Sequence, residues 1–135
     1  MSCQSTLTAS AAAAIPWDAI VIGAGPAGTV LARHLALRGL RILIVEAKSF
    51  PREKVCGGCI SRRALSELAA AGLDDLTNSL TAIPITEYEV RWSGRRFSVQ
   101  RDGGLSLSRA QLDDRLLDAA VSAGAAVLLE TTARV

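Results

Sequence analysis

The spacing of apolar residues along the chain predicts buried strands connected by helices. Runs of consecutive apolar residues, which are typical of buried strands, cover Asp18–Gly23, Arg41–Glu46 and Ala126–Leu129. Between the first two runs, Pro26–Arg38 has apolar residues at helical spacing, and Gly39 follows as a C-terminal cap. A strand, a helix and a strand make a βαβ unit, so we expect the first two strands to be parallel and joined by a right-handed crossover.

Two further helices are predicted from their capping residues. Ser61 is suited to the N-cap of a helix over Arg62–Ala71, which a glycine follows. Ser108 and Gln111 have the spacing of a capping box, and the apolar pattern after them continues to about Ala123. The third apolar run follows this last helix, so we expect an α/β domain with a three-strand parallel core.

Strict alternation of residue types separates these two helices. Over Ile85–Trp92, Tyr88 and Trp92 lie on one face of a predicted strand and charged residues lie on the other. A serine–glycine turn then leads into Arg95–Val99, which predicts an antiparallel hairpin inserted over residues 83–100. We expect the aromatic side chains to pack in a core or against a sheet.

Composition narrows the class of protein. The chain has 135 residues, of which 50% are hydrophobic, and a formal net charge of +2. This length suits one domain, and the balanced charge does not predict a nucleic-acid partner. No apolar run reaches the roughly 18 to 20 residues that cross a bilayer, so we expect no transmembrane segment. Three cysteines are too few for a disulfide scaffold, which favours a reducing, cytoplasmic location.

The first 16 residues differ in composition from the rest of the chain. They are polar and then alanine-rich, and they contain no basic residue, so the charged start of a secretory signal is missing. We expect residues 1–16 to form a disordered leader, with a cleaved targeting peptide as the alternative. Residues 17–135 would then form the domain.

A glycine-rich turn links the first predicted strand to the first helix. Its sequence is G-x-G-x-x-G and consists of Gly23, Ala24, Gly25, Pro26, Ala27 and Gly28. The first glycine permits the tight turn, the second lets the backbone approach a pyrophosphate, and the third allows close packing of helix on strand. Because the turn lies inside a βαβ unit, it predicts a dinucleotide site with phosphates at the helix N-terminus.

Glu46 ends the second predicted strand, 18 residues after Gly28. A carboxylate at this place can accept hydrogen bonds from the two ribose hydroxyls of an adenosine, and it would repel a 2′-phosphate. The pattern therefore argues against NADP in this site. The alternative is a glycine turn followed by a solvated glutamate at a strand end.

Three segments resemble one family of flavoproteins. "DAIVIGAGPAGTVLARHLALRGLRILIVEA" resembles the N-terminus of FAD-dependent oxidoreductases of the aromatic-hydroxylase superfamily. "FPREKVCGG" is similar to the geranylgeranyl reductase branch, which also holds electron-transfer flavoproteins and relatives of flavin halogenases. Arg109, Asp113 and Leu116 match the R-x-x-x-D-x-x-L helix of these enzymes.

The resemblance implies a Rossmann-like FAD-binding domain that is truncated, because further FAD contacts and the substrate domain follow later in such enzymes. It implies a reductase or monooxygenase whose flavin takes hydride from NAD(P)H and passes it to an alkene-type substrate or to oxygen. Two alternatives stay open: a non-catalytic dinucleotide-binding remnant or half of a split protein, and an NAD-dependent dehydrogenase. The last predicted strand has no covering element, which predicts association through that sheet edge.

The resemblance also assigns roles to single residues. Cys56, Gly57 and Gly58 would lie along the flavin, with Arg52 and Lys54 adding positive potential near phosphate or reduced flavin. The residues expected to contact FAD are Gly23, Ala24, Gly25, Pro26, Ala27, Gly28, Glu46, Ala47, Arg52, Lys54, Cys56, Gly57, Gly58, Arg109 and Val135.

Arg109 is placed against the helix dipole, because it is a cation in the first helical turn. Its spacing to Asp113 has the less favourable polarity for a helix ion pair, and the resemblance suggests that FAD holds it instead. The alternative is a solvated arginine.

Cys56 and Cys59 form a C-x-x-C pair, which raises two other possibilities. Structural zinc needs four ligands, and no second pair of cysteines or histidines is present, so we expect no metal. A redox-active dithiol beside the flavin remains open. We expect Cys59 to be a small buried residue.

Overall fold

The computed structural model describes residues 3–100 and 103–134. Its α-helices are α1 (Ala9–Ala13), α2 (Pro26–Ala36), α3 (Arg62–Ala70) and α4 (Arg109–Ser122), and a 3₁₀ helix covers Asp74–Ser79. Its strands are β1 (Ala19–Ile22), β2 (Ile42–Val45), β3 (Cys59–Ile60), β4 (Ile83–Pro84), β5 (Glu87–Trp92), β6 (Arg95–Gln100), β7 (Leu105–Ser106) and β8 (Ala126–Leu128).

The chain divides into two units. The first runs up to Lys54 and resumes at Ala110, and the second is Val55–Arg109. Among the described residues, no helix is long and apolar enough to cross a membrane.

The first unit is built on a parallel sheet with strand order β1-β2-β8. Ile44 of β2 is in register with Val21 of β1 and with Val127 of β8. All four residues of β2 are buried, as a central strand covered on both faces requires. This sheet confirms the predicted α/β class with a three-strand parallel core.

Both faces of β2 are covered, but by different parts of the chain. On one face Ile42 and Ile44 belong to a cluster of buried residues that includes Ala32 of α2 and Leu117 of α4. On the other face Leu43 and Val45 pack with Ala12 of α1, Leu128 of β8 and the partly buried side chains of Leu7 and Trp17. The N-terminal segment is therefore a layer of the core.

The prediction of a disordered leader is wrong for residues 3–16. Thr8 caps α1 by accepting a hydrogen bond from the Ala11 N–H (3.2 Å). The Thr6 N–H donates to the Val127 carbonyl (3.0 Å), and the Val127 N–H donates to Thr6 Oγ1 (2.8 Å). Since an open strand edge has unpaired backbone groups, this segment satisfies the outer edge of β8. The prediction of an uncovered edge at the third strand is wrong for the same reason.

Strand β1 is only half buried, which corrects its prediction as a buried strand. Ile20 and Ile22 are exposed, although they are in register with the buried Leu43 and Val45 of β2. The N-terminal segment packs on β2 and β8, and it leaves this part of the face exposed. The apolar run therefore predicted the strand correctly but did not predict how far its side chains are buried.

The second unit contains two small antiparallel sheets. One has strand order β3-β7-β4, and the other is the hairpin of β5 and β6. The hairpin pairs Glu87–Gln100, so its predicted start at residue 83 is wrong. Ile83–Pro84 pairs with β7 instead, because Gly103 and Gly104 return the chain beside Ile85 through two backbone hydrogen bonds of 2.8 and 2.9 Å.

Candidate functional site: a dinucleotide turn and a buried charge cluster

The glycine turn connects β1 to α2, and two of its glycines are required by the fold itself. Gly23 has φ +100°, which favours glycine, and its N–H donates to the Val45 carbonyl (2.8 Å). A Cβ atom on Gly28 would lie 2.2 Å from the Gly23 carbonyl oxygen and 3.1 Å from a methyl of Val21. The close approach of helix to strand therefore excludes any side chain at residue 28.

Gly25 is different, because nothing in the polypeptide requires a glycine there. It is the N-cap of α2 with φ −79°, a conformation that any residue adopts. A Cβ on it would meet Arg52 Nη2 at 3.7 Å, an ordinary contact. Among the described residues no side chain caps this helix, and its first turn contains no acidic residue. The positive helix end is thus left to an anion.

The Glu46 carboxylate lies next to this turn, at the end of β2. It is buried, with 6% of its side chain exposed. Its Oε2 accepts a hydrogen bond from the Ala24 N–H (2.9 Å), and its Oε1 accepts one from the Lys48 N–H (3.0 Å). Ala47, the residue between Glu46 and Lys48 in the sequence, is exposed. The predicted ribose carboxylate is therefore held by backbone amides on both sides.

Arg52 joins Glu46 to a second carboxylate. Its Nη1 lies 3.2 Å from Glu46 Oε2, and its Nη2 lies 3.7 Å from Asp113 Oδ2 of α4. Its guanidinium carbon is 5.2 Å from the centre of the Phe50 ring, within the range of a cation–π contact. Its buried Nε has no hydrogen-bond partner in the described part of the chain. Two carboxylates and one guanidinium thus form a mostly buried cluster beside Gly25.

The other predicted site residues of the loop between β2 and β3 are the exposed Lys54, in the first unit, and Cys56, Gly57 and Gly58, in the second. Gly58 has φ +66° and its carbonyl accepts a hydrogen bond from the Leu107 N–H (2.8 Å). A Cβ on Gly57 would meet nothing within 4 Å. Arg109 Nη1 donates to the Cys56 sulfur (3.7 Å). The fold therefore explains the glycine at residue 58 but not the one at residue 57.

Cys56 and Cys59 are free thiols and both are exposed. The prediction of a buried Cys59 is therefore wrong, because β3 is a two-residue strand and leaves this side chain outside. The Cys59 sulfur donates to the Gly57 carbonyl (3.2 Å).

The predicted site residues fall into two groups. The first unit brings together Gly23–Gly28, Glu46 and Arg52, and the second holds Cys56–Gly58 and Arg109. Val135 lies outside the described residues.

The sequence does not reveal the contact between Asp113 and Arg52. The two side chains form an ion pair, and only 1% of the Asp113 side chain is exposed. A signal was present: Asp113 shares the helical stripe of Leu116, Leu117 and Ala120, all of which are buried. An acidic residue on an apolar stripe indicates a buried partner.

Comparison with known proteins agrees with this geometry. A sequence model for the FAD binding domain matches residues 17–133. The chain belongs to the FAD-binding domain family. It is 35% identical to the menaquinone reductase of Mycobacterium tuberculosis over 119 residues, which are 83% of this chain and 28% of that protein. It is 36% identical to digeranylgeranylglycerophospholipid reductase 1 of Methanopyrus kandleri over 124 residues, or 87% and 31% of the two chains.

A solved structure shows the same fold. The myxobacterial chondrochloren halogenase, an FAD-dependent halogenase, superposes with a TM-score of 0.72 and 29% identity, covering 84% of this chain and 28% of the halogenase. The chain therefore spans less than a third of the length of the relatives named here. The predicted resemblance to FAD-dependent oxidoreductases of the geranylgeranyl reductase type is confirmed.

The residues of the first unit fit FAD on observations of this structure alone. Among the described residues, the first turn of α2 has no side-chain cap, Gly25 is a glycine that the fold does not require, and the Arg52 Nε is buried without a partner. Each of these features suits a phosphate-bearing ligand at the turn. FAD is the cofactor of this family.

Proposed function

We propose that the chain binds the adenosine diphosphate half of FAD at its glycine turn. The observation that carries this proposal is Gly25, a glycine that neither backbone conformation nor space requires at a helix N-terminus. The amides of Ala27 and Gly28 in the first turn, with the helix dipole, would hold the pyrophosphate. The Glu46 carboxylate would accept a hydrogen bond from the ribose, and the exposed Ala47 beside it leaves room for the adenosine.

We further propose that residues of the loop contact the rest of the cofactor. Gly57 has open space where a side chain would be, which lets the backbone approach a flat ring. Arg52, Lys54 and Arg109 would supply positive charge toward phosphate or reduced flavin, and Cys56 and Gly58 would contact the flavin. These roles rest on the match of the loop and of the Arg109 helix to the family.

We propose that the whole protein is an FAD-dependent reductase. FAD, when bound, would take hydride from NAD(P)H and pass it with a proton to an alkene-type substrate. The support is that the two relatives at 35% and 36% identity are both reductases by name. Oxygen activation is the second candidate, favoured by 29% identity over 85 residues to squalene monooxygenase of Candida glabrata. The family match favours FAD over the NAD alternative.

The test is the visible absorption spectrum of the purified chain after incubation with excess FAD and desalting. We expect a retained flavin spectrum from the unmodified chain. Gly25→Ala should abolish retention by obstructing the pyrophosphate while leaving the melting temperature nearly unchanged. Leu37→Ala, at the exposed end of α2, is the matched control and should retain FAD.

Two outcomes contradict the proposal. A chain that never holds FAD would remove the claim that this half-site binds the cofactor. Retention by Gly25→Ala equal to that of the unmodified chain would show that the turn does not hold the pyrophosphate.

A further inference from the structure

We propose that Asp113 and Arg52 are positioning residues for the Glu46 carboxylate. Asp113 fixes the orientation of the Arg52 guanidinium, and Arg52 in turn holds Glu46 in the position from which it meets the ribose. The inference rests on the proposed function for the role of Glu46 toward a ribose. The positioning itself is a property of this chain and can be tested without a nucleotide.

Asp113, Arg52 and Glu46 form a chain of ion pairs that connects α4 to the glycine turn. Asp113 Oδ2 forms an ion pair with Arg52 Nη2 at 3.7 Å, Glu46 Oε2 forms one with Nη1 at 3.2 Å, and the same Glu46 oxygen accepts a hydrogen bond from the Ala24 N–H. A guanidinium is planar and rigid, so carboxylates at two of its nitrogens fix its orientation, as a single contact would not. The position of Ala24 in the turn is thus linked to a helix nearly 90 residues later in the chain.

The charges of this cluster favour a positioning role over a simple contribution to stability. The carboxylates of Glu46 and Asp113 both lie against the Arg52 guanidinium, and they expose only 6% and 1% of their side chains. Burying a carboxylate costs free energy, and an apolar residue on the stripe of α4 would avoid that cost. An acidic residue there is explained if the orientation of Arg52 is needed.

The hydrogen bonds of Glu46 show which of its carboxylate oxygens can still accept one from a ligand. Each carboxylate oxygen has two lone pairs. Oε2 uses both, for the Ala24 N–H and for Arg52, whereas Oε1 accepts only the Lys48 N–H among the described residues. Oε1 therefore keeps a lone pair for a ribose hydroxyl. Without Arg52 in place, only the two backbone amides would hold the carboxylate, and Oε2 would also have a lone pair left, so a ribose hydroxyl would no longer be directed to Oε1.

The first measurement reads the position of Glu46 directly in the full 135-residue chain. The amide resonances of Ala24 and Lys48 in a ¹⁵N-correlated NMR spectrum report their hydrogen bonds to this carboxylate. We expect Asp113→Asn, which keeps the shape but removes the charge, to shift both resonances. Asp114→Asn, on the same helix but bonded to the Cys3 amide, is the matched control and should leave them in place.

The second measurement uses ADP and 2′-deoxy-ADP as probes. A single ribose hydrogen bond to a charged acceptor predicts that the unmodified chain binds ADP about tenfold more tightly. In Asp113→Asn and in Arg52→Lys this preference should fall below about twofold, because neither variant keeps the two-point contact. A merely structural role would lower the melting temperature and weaken both nucleotides equally.

The outcomes separate this inference from the proposed function. Unchanged Ala24 and Lys48 resonances, or an ADP preference that survives in both variants, overturn the positioning role. A chain that binds neither nucleotide contradicts the proposed function, and the amide resonances then still decide whether Asp113 and Arg52 position Glu46. If Asp113→Asn does not fold, Arg52→Lys carries both measurements.

Discussion

The strands β2 and β5 are both rich in apolar residues, yet the protein treats them in opposite ways. Every residue of β2 is buried, and the side chain of Ile44 is fully covered. Every residue of β5 and of its partner β6 is exposed, and Trp92 keeps 78% of its surface accessible. Strand β2 forms part of a core, whereas β5 does not.

The difference comes from what the chain places on each strand. Sheet β1-β2-β8 has helices on one face and the N-terminal segment on the other. The hairpin pairs Tyr88 with Val99 and Val90 with Phe97 across its two strands, but all four side chains stay exposed. Two strands alone cannot bury a face. Apolar pattern therefore determines pairing, whereas burial depends on a second layer.

Two side-chain truncations test whether β2 is buried and the hairpin is exposed. Ile44→Ala should lower the free energy of unfolding by about 2–5 kcal/mol, because it leaves a cavity in a core that is covered on both sides. Trp92→Ala should change it by less than about 0.5 kcal/mol, since the larger side chain is exposed. Urea unfolding measures both values.

The result for Trp92→Ala can also contradict the difference between the two strands. A loss of several kcal/mol in Trp92→Ala would mean that the hairpin face is buried in solution, for instance between two copies of the chain. Measuring the unfolding midpoint at two protein concentrations would then separate self-association from burial within one chain, because only self-association makes the midpoint depend on concentration.

The glycines show the same contrast on a smaller scale within the first unit. Gly28→Ala should cost about 1–3 kcal/mol, because its Cβ would lie 2.2 Å from a backbone oxygen that cannot move freely. Gly25→Ala, three residues earlier, should cost less than about 1 kcal/mol because its Cβ meets only an ordinary contact. Thermal unfolding of the two variants gives the difference.

Equal destabilisation by the two substitutions would contradict this division. It would show that Gly25 is also required by the fold, and the main support for a ligand at the turn would be lost. The second unit offers a parallel pair, because Gly104 has φ +104° and a Cβ position 2.1 Å from the Ile60 carbonyl, whereas Gly57 has open space.

The features that could be predicted from the sequence are those that depend on residues close together in the chain. The βαβ unit, the Ser61 cap and the turn of the hairpin depend on residues close together in the chain, and the structure has all three. The docked N-terminal segment and the Asp113–Arg52 ion pair join residues far apart in sequence. No local spacing specifies such contacts, so sequence patterns left them out. The prediction that Cys59 is buried failed for a similar reason, because its exposure depends on which distant segments pack against β3.

Cys3 gives the mildest test, and it concerns the segment that covers the sheet. Burial, together with the charges of Asp118 and Asp114, raises the pKa of the Cys3 thiol from 9.0 to about 11. At pH 8 we expect iodoacetamide to alkylate Cys3 in the folded chain about tenfold more slowly than in urea, because fewer thiolates form while each becomes more nucleophilic. Mass spectrometry of the Cys3 peptide measures both rates.

The raised pKa of Cys3 also makes folding stability depend on pH. The folded state holds the Cys3 proton more tightly than the unfolded state, so the stability linked to it is complete below pH 9 and is lost as pH rises through about 11. Asp118→Asn should lower the pKa and raise the folded alkylation rate, whereas Asp75→Asn, in the second unit, should leave the rate unchanged. Equal rates for Cys3 in the folded and the unfolded chain would mean that the N-terminal segment does not stay on the sheet. In that case β2 would lose the cover that distinguishes it from the hairpin.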